Sequence, residues 1–362
     1  MSGPKTHSWI DDLEIYIAGK AKVDDVKNIH KLSANESALG PSPMAMEAYR
    51  NAASELHRYP DPAYYDLRKA LAQKHTINAE NIVCGVGSDE ILKLACRAYL
   101  SPGDHALYVA HSFSMYPIAI KAMGAKAIEV EDKDYKADVD NILEALTDKT
   151  RIIFIANPNN PTGTYLPRSE IERLWKNIPS NILLVLDAAY AEFVCADDYD
   201  AGIDLVEKSE NILMTRTFSK LYGLAALRLG WGYTNAKIAE TLNKLRDPFN
   251  VPSSAQIAGI AALNDTEFET KAIAFNKKWR DWLSAEISSL GLHVIPSATN
   301  FILFRFDDNV KSAAAANDYL MKHGYILRYY KGQGLEKFLR LTVGTEEENR
   351  EIINLLRKFL EK

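Results

Sequence analysis

The middle of this 362-residue chain alternates short β-rich runs with amphipathic stretches, and no other feature constrains the fold as strongly. The runs are NIVCGV, HALYVA, AKAIEV, RIIFIA, NILLVLDAA and NILMTRTF, and stretches such as DEILKLACRAYL, SMYPIAIKAMG and RSEIERLWKNI stand between them. Such alternation predicts helices covering both faces of a mostly parallel sheet. In sheets of that kind ligands bind outside the carboxyl ends of the strands, so the residues just after each run are the ones to examine.

Beyond Pro248 and Pro252 the texture changes. A long helical stretch over residues 276–290 leads to a strand pattern, HVIPSATNFILFRF, then a helix and two short strands, YILRYY and FLRLTVGT. The closing segment opens with Thr345 and Glu348, a capping-box pair, ahead of an amphipathic helix. The expected division is an N-terminal arm over residues 1–30 associated with the small domain, a large domain over 31–248 and a small α+β domain over 249–362.

The net charge is −5 and the basic residues are spread along the chain, which gives no footprint for nucleic acid or an anionic membrane. Cys84, Cys96 and Cys195 are too few and too scattered for a disulfide framework or a metal site. The N-terminus lacks the layout of a signal peptide, and no apolar run approaches the length of a membrane span. These readings predict a cytoplasmic protein acting on small molecules, with no metal.

The chemistry concentrates after the runs. Lys220 and Arg228 stand at fixed separation in otherwise small or apolar sequence, TRTFSKLYGLAALRLGW. An apolar pocket disfavours the charged form of a lysine and frees its amine to attack an aldehyde, whereas an arginine stays charged and can hold a phosphate. Pyridoxal 5'-phosphate carries both groups. A lone lysine is ordinarily a solvated surface charge, so corroboration must come from elsewhere. Gly85-Val-Gly87-Ser88-Asp89-Glu90 follows a strand and opens a helix, where free amides favour an anion. Asn157-Pro-Asn-Asn160-Pro-Thr-Gly163 is a rigid loop after another strand, and Asn160 could donate to a phenolate-like ring oxygen. Asp187 closes the apolar run ILLVLD with Tyr190 three residues later. A carboxylate there is costly unless it meets a cation, such as a protonated pyridine nitrogen.

Together these pieces resemble the fold-type I pyridoxal-phosphate enzymes, an α/β fold with a mostly parallel central sheet and a smaller α+β domain, and specifically the aminotransferase branch. The segments LSANESALGPSP, with Asn35, then RYPDP, with Tyr59, and RLTVGT, beginning at Arg340, are similar to those of the histidinol-phosphate aminotransferase family over nearly the whole length. The resemblance implies that Lys220 bonds the cofactor aldehyde and later shuttles a proton. It also implies that Asp187 pairs with the pyridine nitrogen, that Asn160 and Tyr190 hydrogen-bond the ring oxygen, and that Phe113 stacks on the ring. Ser88, Asp89, Thr217, Ser219 and Arg228 would surround the phosphate, joined by Tyr59 from the other subunit of a homodimer with shared active sites. Arg340 would grip a carboxylate, with Tyr16, Asn35 and Arg328 as further substrate-binding positions.

The activity so implied is amine exchange between glutamate and histidinol phosphate, with 2-oxoglutarate and 3-(imidazol-4-yl)-2-oxopropyl phosphate as their partners, in histidine biosynthesis. Ala188, Phe113 and His111 depart from the residues common in that family. They leave two alternatives open: an aromatic amino acid aminotransferase of the same family, or a phosphothreonine decarboxylase. No carboxylate can be placed against the imidazole ring from sequence.

Overall fold

The structure is a computed structural model that describes residues 3–11, 13, 15, 28–307 and 310–361. A two-residue strand, β1 (His30–Lys31), precedes the strands of the main sheet. These are β2 (Ile82–Val86), β3 (His105–Val109), β4 (Lys126–Val130), β5 (Thr150–Ala156), β6 (Leu183–Asp187), β7 (Ile212–Thr217) and β8 (Leu229–Thr234). They line up in the order β2-β8-β7-β6-β5-β3-β4. Only β8 runs against its neighbours, so the sheet is mostly parallel, as the alternation predicts. Every residue of β6 and β7 is buried, because helices cover both faces. Two apolar clusters lie on the two sides of this sheet: one includes Leu184, Leu186 and Met214, the other Val185, Leu183 and Leu213.

Register sets the site. Ala156 pairs with Asp187, and Asp187 with Thr215, so the carboxyl ends of β5, β6 and β7 are brought level along one edge. The strand β8 was not among the expected runs. It reads LGWGYT, and its glycines weaken any β signal, yet both are needed for close packing: a Cβ on Gly230 would lie 2.2 Å from the Ser88 backbone nitrogen.

The C-terminal region carries β9 (His293–Ile295), β10 (Phe301–Arg305), β11 (Tyr325–Ile326), β12 (Arg328–Tyr329) and β13 (Phe338–Thr342). A four-stranded antiparallel sheet runs β12-β13-β10-β9, whereas β11 pairs in parallel with β1. The segment YILRYY is therefore divided between two sheets at Leu327 rather than forming one strand. The helix expected over 276–290 spans Thr266–Ser289. It starts earlier because Asp265 caps it, accepting from the Phe268 amide at 3.2 Å and from the Ser42 hydroxyl at 2.6 Å. The capping box of Thr345 and Glu348 opens the last helix, Glu346–Leu360.

Helix Ser253–Asn264 packs on the helices Pro43–Ala52 and Tyr65–His75, and its Ala255, Ala258 and Ala262 belong to the core under the main sheet. Leu32 belongs with the C-terminal core, and β1 with β11. Trp9 lies beside Gly124, in the region of the main sheet. Among the described residues no helix is long and apolar enough to cross a membrane.

Candidate active site

Where β5, β6 and β7 end, their following loops enclose a cavity of about 380 Å³. The segment 33–36 closes it from one side and the C-terminal sheet from another. Lys220, three residues beyond β7 and partly buried, turns its amine into this space. Its Nζ donates to the carbonyls of Ala34 and Asn35, each at 3.3 Å, and stands 5.6 Å from the Tyr190 ring centroid. Burial, reinforced by the guanidinium of Arg340, lowers its pKa to about 8. The amine is thus much closer to its neutral, nucleophilic form than an exposed lysine.

Asp187 ends β6 fully enclosed. The Tyr116 hydroxyl donates to Oδ2 at 2.8 Å and the Thr215 hydroxyl to Oδ1 at 3.3 Å. Burial nevertheless raises its pKa to about 6, with the nearby Asp89 adding to the rise, and among the described residues no cation pairs with it. Desolvation and the same carboxylate push the Tyr116 hydroxyl well above its ordinary range. Tyr190 accepts from Asn35 Nδ2 at 2.9 Å, and burial raises its phenol to about 12.

The anion-binding end is built by glycine. Gly87, at φ +80°, precedes the helix Ser88–Tyr99, which has no side-chain cap, so its first amides are free for a ligand. A Cβ at Gly87 would lie 2.5 Å from the Arg228 guanidinium. Arg228 itself sits in the left-handed region at φ 51° and donates to the Ser219 hydroxyl at 3.3 Å and the Ala225 carbonyl at 3.1 Å. Thr217 accepts from the Ser219 amide at 3.1 Å and completes this corner.

At the opposite end, on β13, Arg340 donates to the Asn160 side-chain oxygen and to the Ser33 carbonyl. Its Nε is buried and has no partner among the described residues. Arg328 lies 5.5 Å from the Tyr330 ring centroid, and both line the cavity.

The profile of the family described as aminotransferase class I and II matches residues 27–356. The chain belongs to that family. This aminotransferase is 50% identical to histidinol-phosphate aminotransferase of Paramagnetospirillum magneticum over 99% of both chains. It is 46% identical to the protein of the same name from Nitrobacter hamburgensis, again over 99% of both. The solved histidinol-phosphate aminotransferase of Sinorhizobium meliloti, in complex with pyridoxal 5'-phosphate, matches with a TM-score of 0.93 at 27% identity, over 99% of this chain and 98% of that one.

The aminotransferase cavity gathers nearly every residue singled out in the sequence. Ser88, Asp89, Phe113, Asn160, Asp187, Tyr190, Thr217, Ser219, Lys220 and Arg228 all line it, as do Asn35, Arg328 and Arg340. Asn35 is largely engaged within the protein, since Thr342 as well as Tyr190 holds its side chain. Tyr59 is not brought there: it is 83% exposed and stacks on Phe249 with ring centroids 4.7 Å apart. Tyr16 lies outside the described residues. Sequence reasoning missed Tyr116, Lys31, Ser33 and Glu36. Tyr116 sits three residues after Phe113, one helical turn on, and that spacing was its only signal.

Proposed function

We propose that this chain is a pyridoxal-phosphate-dependent histidinol-phosphate aminotransferase. Glutamate gives its amine and leaves as 2-oxoglutarate, and 3-(imidazol-4-yl)-2-oxopropyl phosphate receives the amine to become L-histidinol phosphate. The observation that carries the reading is one cavity holding a lysine whose pKa is lowered to about 8, a buried carboxylate with no cationic partner among the described residues and an arginine beside a bare helix N-terminus, in a chain half identical to its named relatives over full length.

The donor set fits the cofactor. Asp187 has the burial of a charge that expects a cation, and the glycines at 87 and 230 leave room for a phosphate where a Cβ would collide with Arg228 or with Ser88. Bound there, pyridoxal phosphate supplies an aldehyde to take up the substrate amine and a cationic ring that draws electrons from the substrate Cα. Asp187 would hold the proton on the ring nitrogen, its charged form favoured by the hydrogen bonds from Tyr116 and Thr215. Asn160 and Tyr190 would hydrogen-bond the ring oxygen, and Phe113 would pack against the ring. Ser88, Asp89, Thr217, Ser219 and Arg228 hold the phosphate. Lys220 Nζ would bond the cofactor aldehyde at rest and would then be the base that takes the proton from the substrate Cα. Arg340 binds the α-carboxylate of glutamate, and Arg328, Asn35 and Tyr16 complete the sites for its distal carboxylate and for the substrate phosphate.

The functional unit is a homodimer in the cytoplasm, with Tyr59 of each subunit reaching the cofactor phosphate of the other. Support comes from exposed apolar side chains on the neighbouring segments, Met44, Tyr49, Leu56, Tyr59, Tyr65 and Ile257. Each subunit divides into a large cofactor-binding domain and a small C-terminal domain that also takes in β1. The junction falls inside the helix Thr266–Ser289, whose Phe268 and Ala272 join the first core and whose Leu283 and Ile287 join the second.

Half-reactions test the assignment. Glutamate and L-histidinol phosphate should each convert the bound cofactor in a single turnover of the purified holoenzyme. Carbon dioxide release from phosphothreonine, or conversion by phenylalanine with none by histidinol phosphate, overturns it. Borohydride should fix the cofactor to Lys220, and fixation that persists in Lys220→Ala contradicts that residue's role.

A further inference from the structure

Three carboxylates line the cavity among the described residues: Asp89, Asp187 and Glu36. Asp187 is enclosed at the end of β6 and taken by Tyr116 and Thr215. Asp89 stands in the first turn of the helix at the phosphate end. Glu36 is placed differently. It follows Ala34 and Asn35, whose carbonyls accept from Lys220, and Ser33, whose carbonyl accepts from Arg340. The segment thus passes between the reacting amine and the carboxylate-binding arginine. Glu36 also acts on Lys220 electrostatically, opposing the fall in the lysine's pKa.

The backbone at Glu36 is anchored. Its carbonyl accepts from Asn300 Nδ2 at 3.5 Å, and Asn35 beside it is held by Thr342, Tyr190 and Asn300. The side chain is freer: it meets Lys31 at 3.0 Å, with both groups more than a third exposed. Exposed pairs of this kind are weak, so a ligand can take the place of Lys31 at little loss.

We infer that the Glu36 carboxylate accepts the ring N–H of the imidazole substrate and is the group that separates imidazole from phenyl side chains at this site. A carboxylate is an acceptor only, so it gains a charge-assisted hydrogen bond from an imidazole N–H and none from a phenyl ring. Polar contacts of this type discriminate much more strongly than a change of apolar bulk. The inference rests on the histidinol-phosphate reading above.

Two measurements on the holoenzyme test it. In Glu36→Ala the KM for L-histidinol phosphate should rise about tenfold or more, with kcat/KM for glutamate within about twofold, and Glu36→Gln should fall between because its Oε1 still accepts. Calorimetric Kd values for 3-(imidazol-4-yl)propanoate and 3-phenylpropanoate, which carry no amine and undergo no chemistry, should show the native preference for the imidazole collapsing in Glu36→Ala. An unchanged ratio overturns the inference. So do equal losses with glutamate and histidinol phosphate, which would make Glu36 only an electrostatic neighbour of Lys220. A native enzyme that does not convert histidinol phosphate overturns the activity reading instead, and the propanoate ratio then decides the ring contact by itself.

Discussion

Lys220 and Asp187 share one cavity and are displaced in opposite directions for the same reason, since burial disfavours whichever form is charged. For Lys220 this predicts that modification of the cofactor-free protein by an amine-reactive aryl sulfonate rises with pH through a midpoint near pH 8 and levels off above it, where ordinary lysines are still gaining reactivity; peptide mapping of the label checks it. Asp187 has a folded-state pKa raised to about 6 from 3.8, so the folded state binds a proton more tightly than the unfolded one. Stability from this group is fully present below about pH 4 and is lost as pH rises through about 6. Asp187→Asn should therefore stabilise the cofactor-free protein by about 1–3 kcal/mol at pH 7.5 and by nearly nothing at pH 4, as read from urea unfolding, while cofactor retention falls. Both residues were legible because each stands at or just beyond the carboxyl end of a β-rich run, Asp187 closing an apolar one where a charge is conspicuous. Tyr116 was not: a helical position does not say which way its ring turns, and only the folded register brings it to Asp187.

Among the elements, those with local signals were readable. The apolar runs became β2 to β7, and Thr345 and Glu348 marked the start of the last helix. The strand β8 escaped because its reason for existing is tertiary. Glycines 230 and 232 replace side chains that neighbouring elements leave no room for, and a sequence with alternating glycine carries little β propensity. Gly230→Ala should push β8 away from the first turn of Ser88–Tyr99, costing about 1–3 kcal/mol in stability and weakening cofactor binding beyond what the stability loss explains. Equilibrium unfolding compared with the cofactor Kd separates the two effects. The true start of Thr266–Ser289 was hidden for a similar reason, since its cap is completed by Ser42, far away in sequence.

At the scale of the whole molecule, the sequence pattern separated two architectures but could not say that Ser253–Asn264 packs with the first of them. Its mean composition is apolar on all sides, and the choice of neighbour is made by the faces of Pro43–Ala52 and Tyr65–His75. If two copies share their sites, a Tyr59→Phe chain mixed with a Lys220→Ala chain should recover part of the activity that each homodimer lacks; verified heterodimers without recovery refute sharing. Asn35 joins the two architectures within one chain. Its Nδ2 donates to Tyr190, its backbone amide donates to Thr342 on β13, and its carbonyl accepts from both Asn300 and Lys220. Tyr190 and Thr342 are therefore thermodynamically linked through a third residue. Tyr190→Phe and Thr342→Val should be non-additive in a double-mutant cycle, with an interaction energy of about 0.5–3 kcal/mol. The protein's tolerance of change at either position then depends on which residue stands at the other.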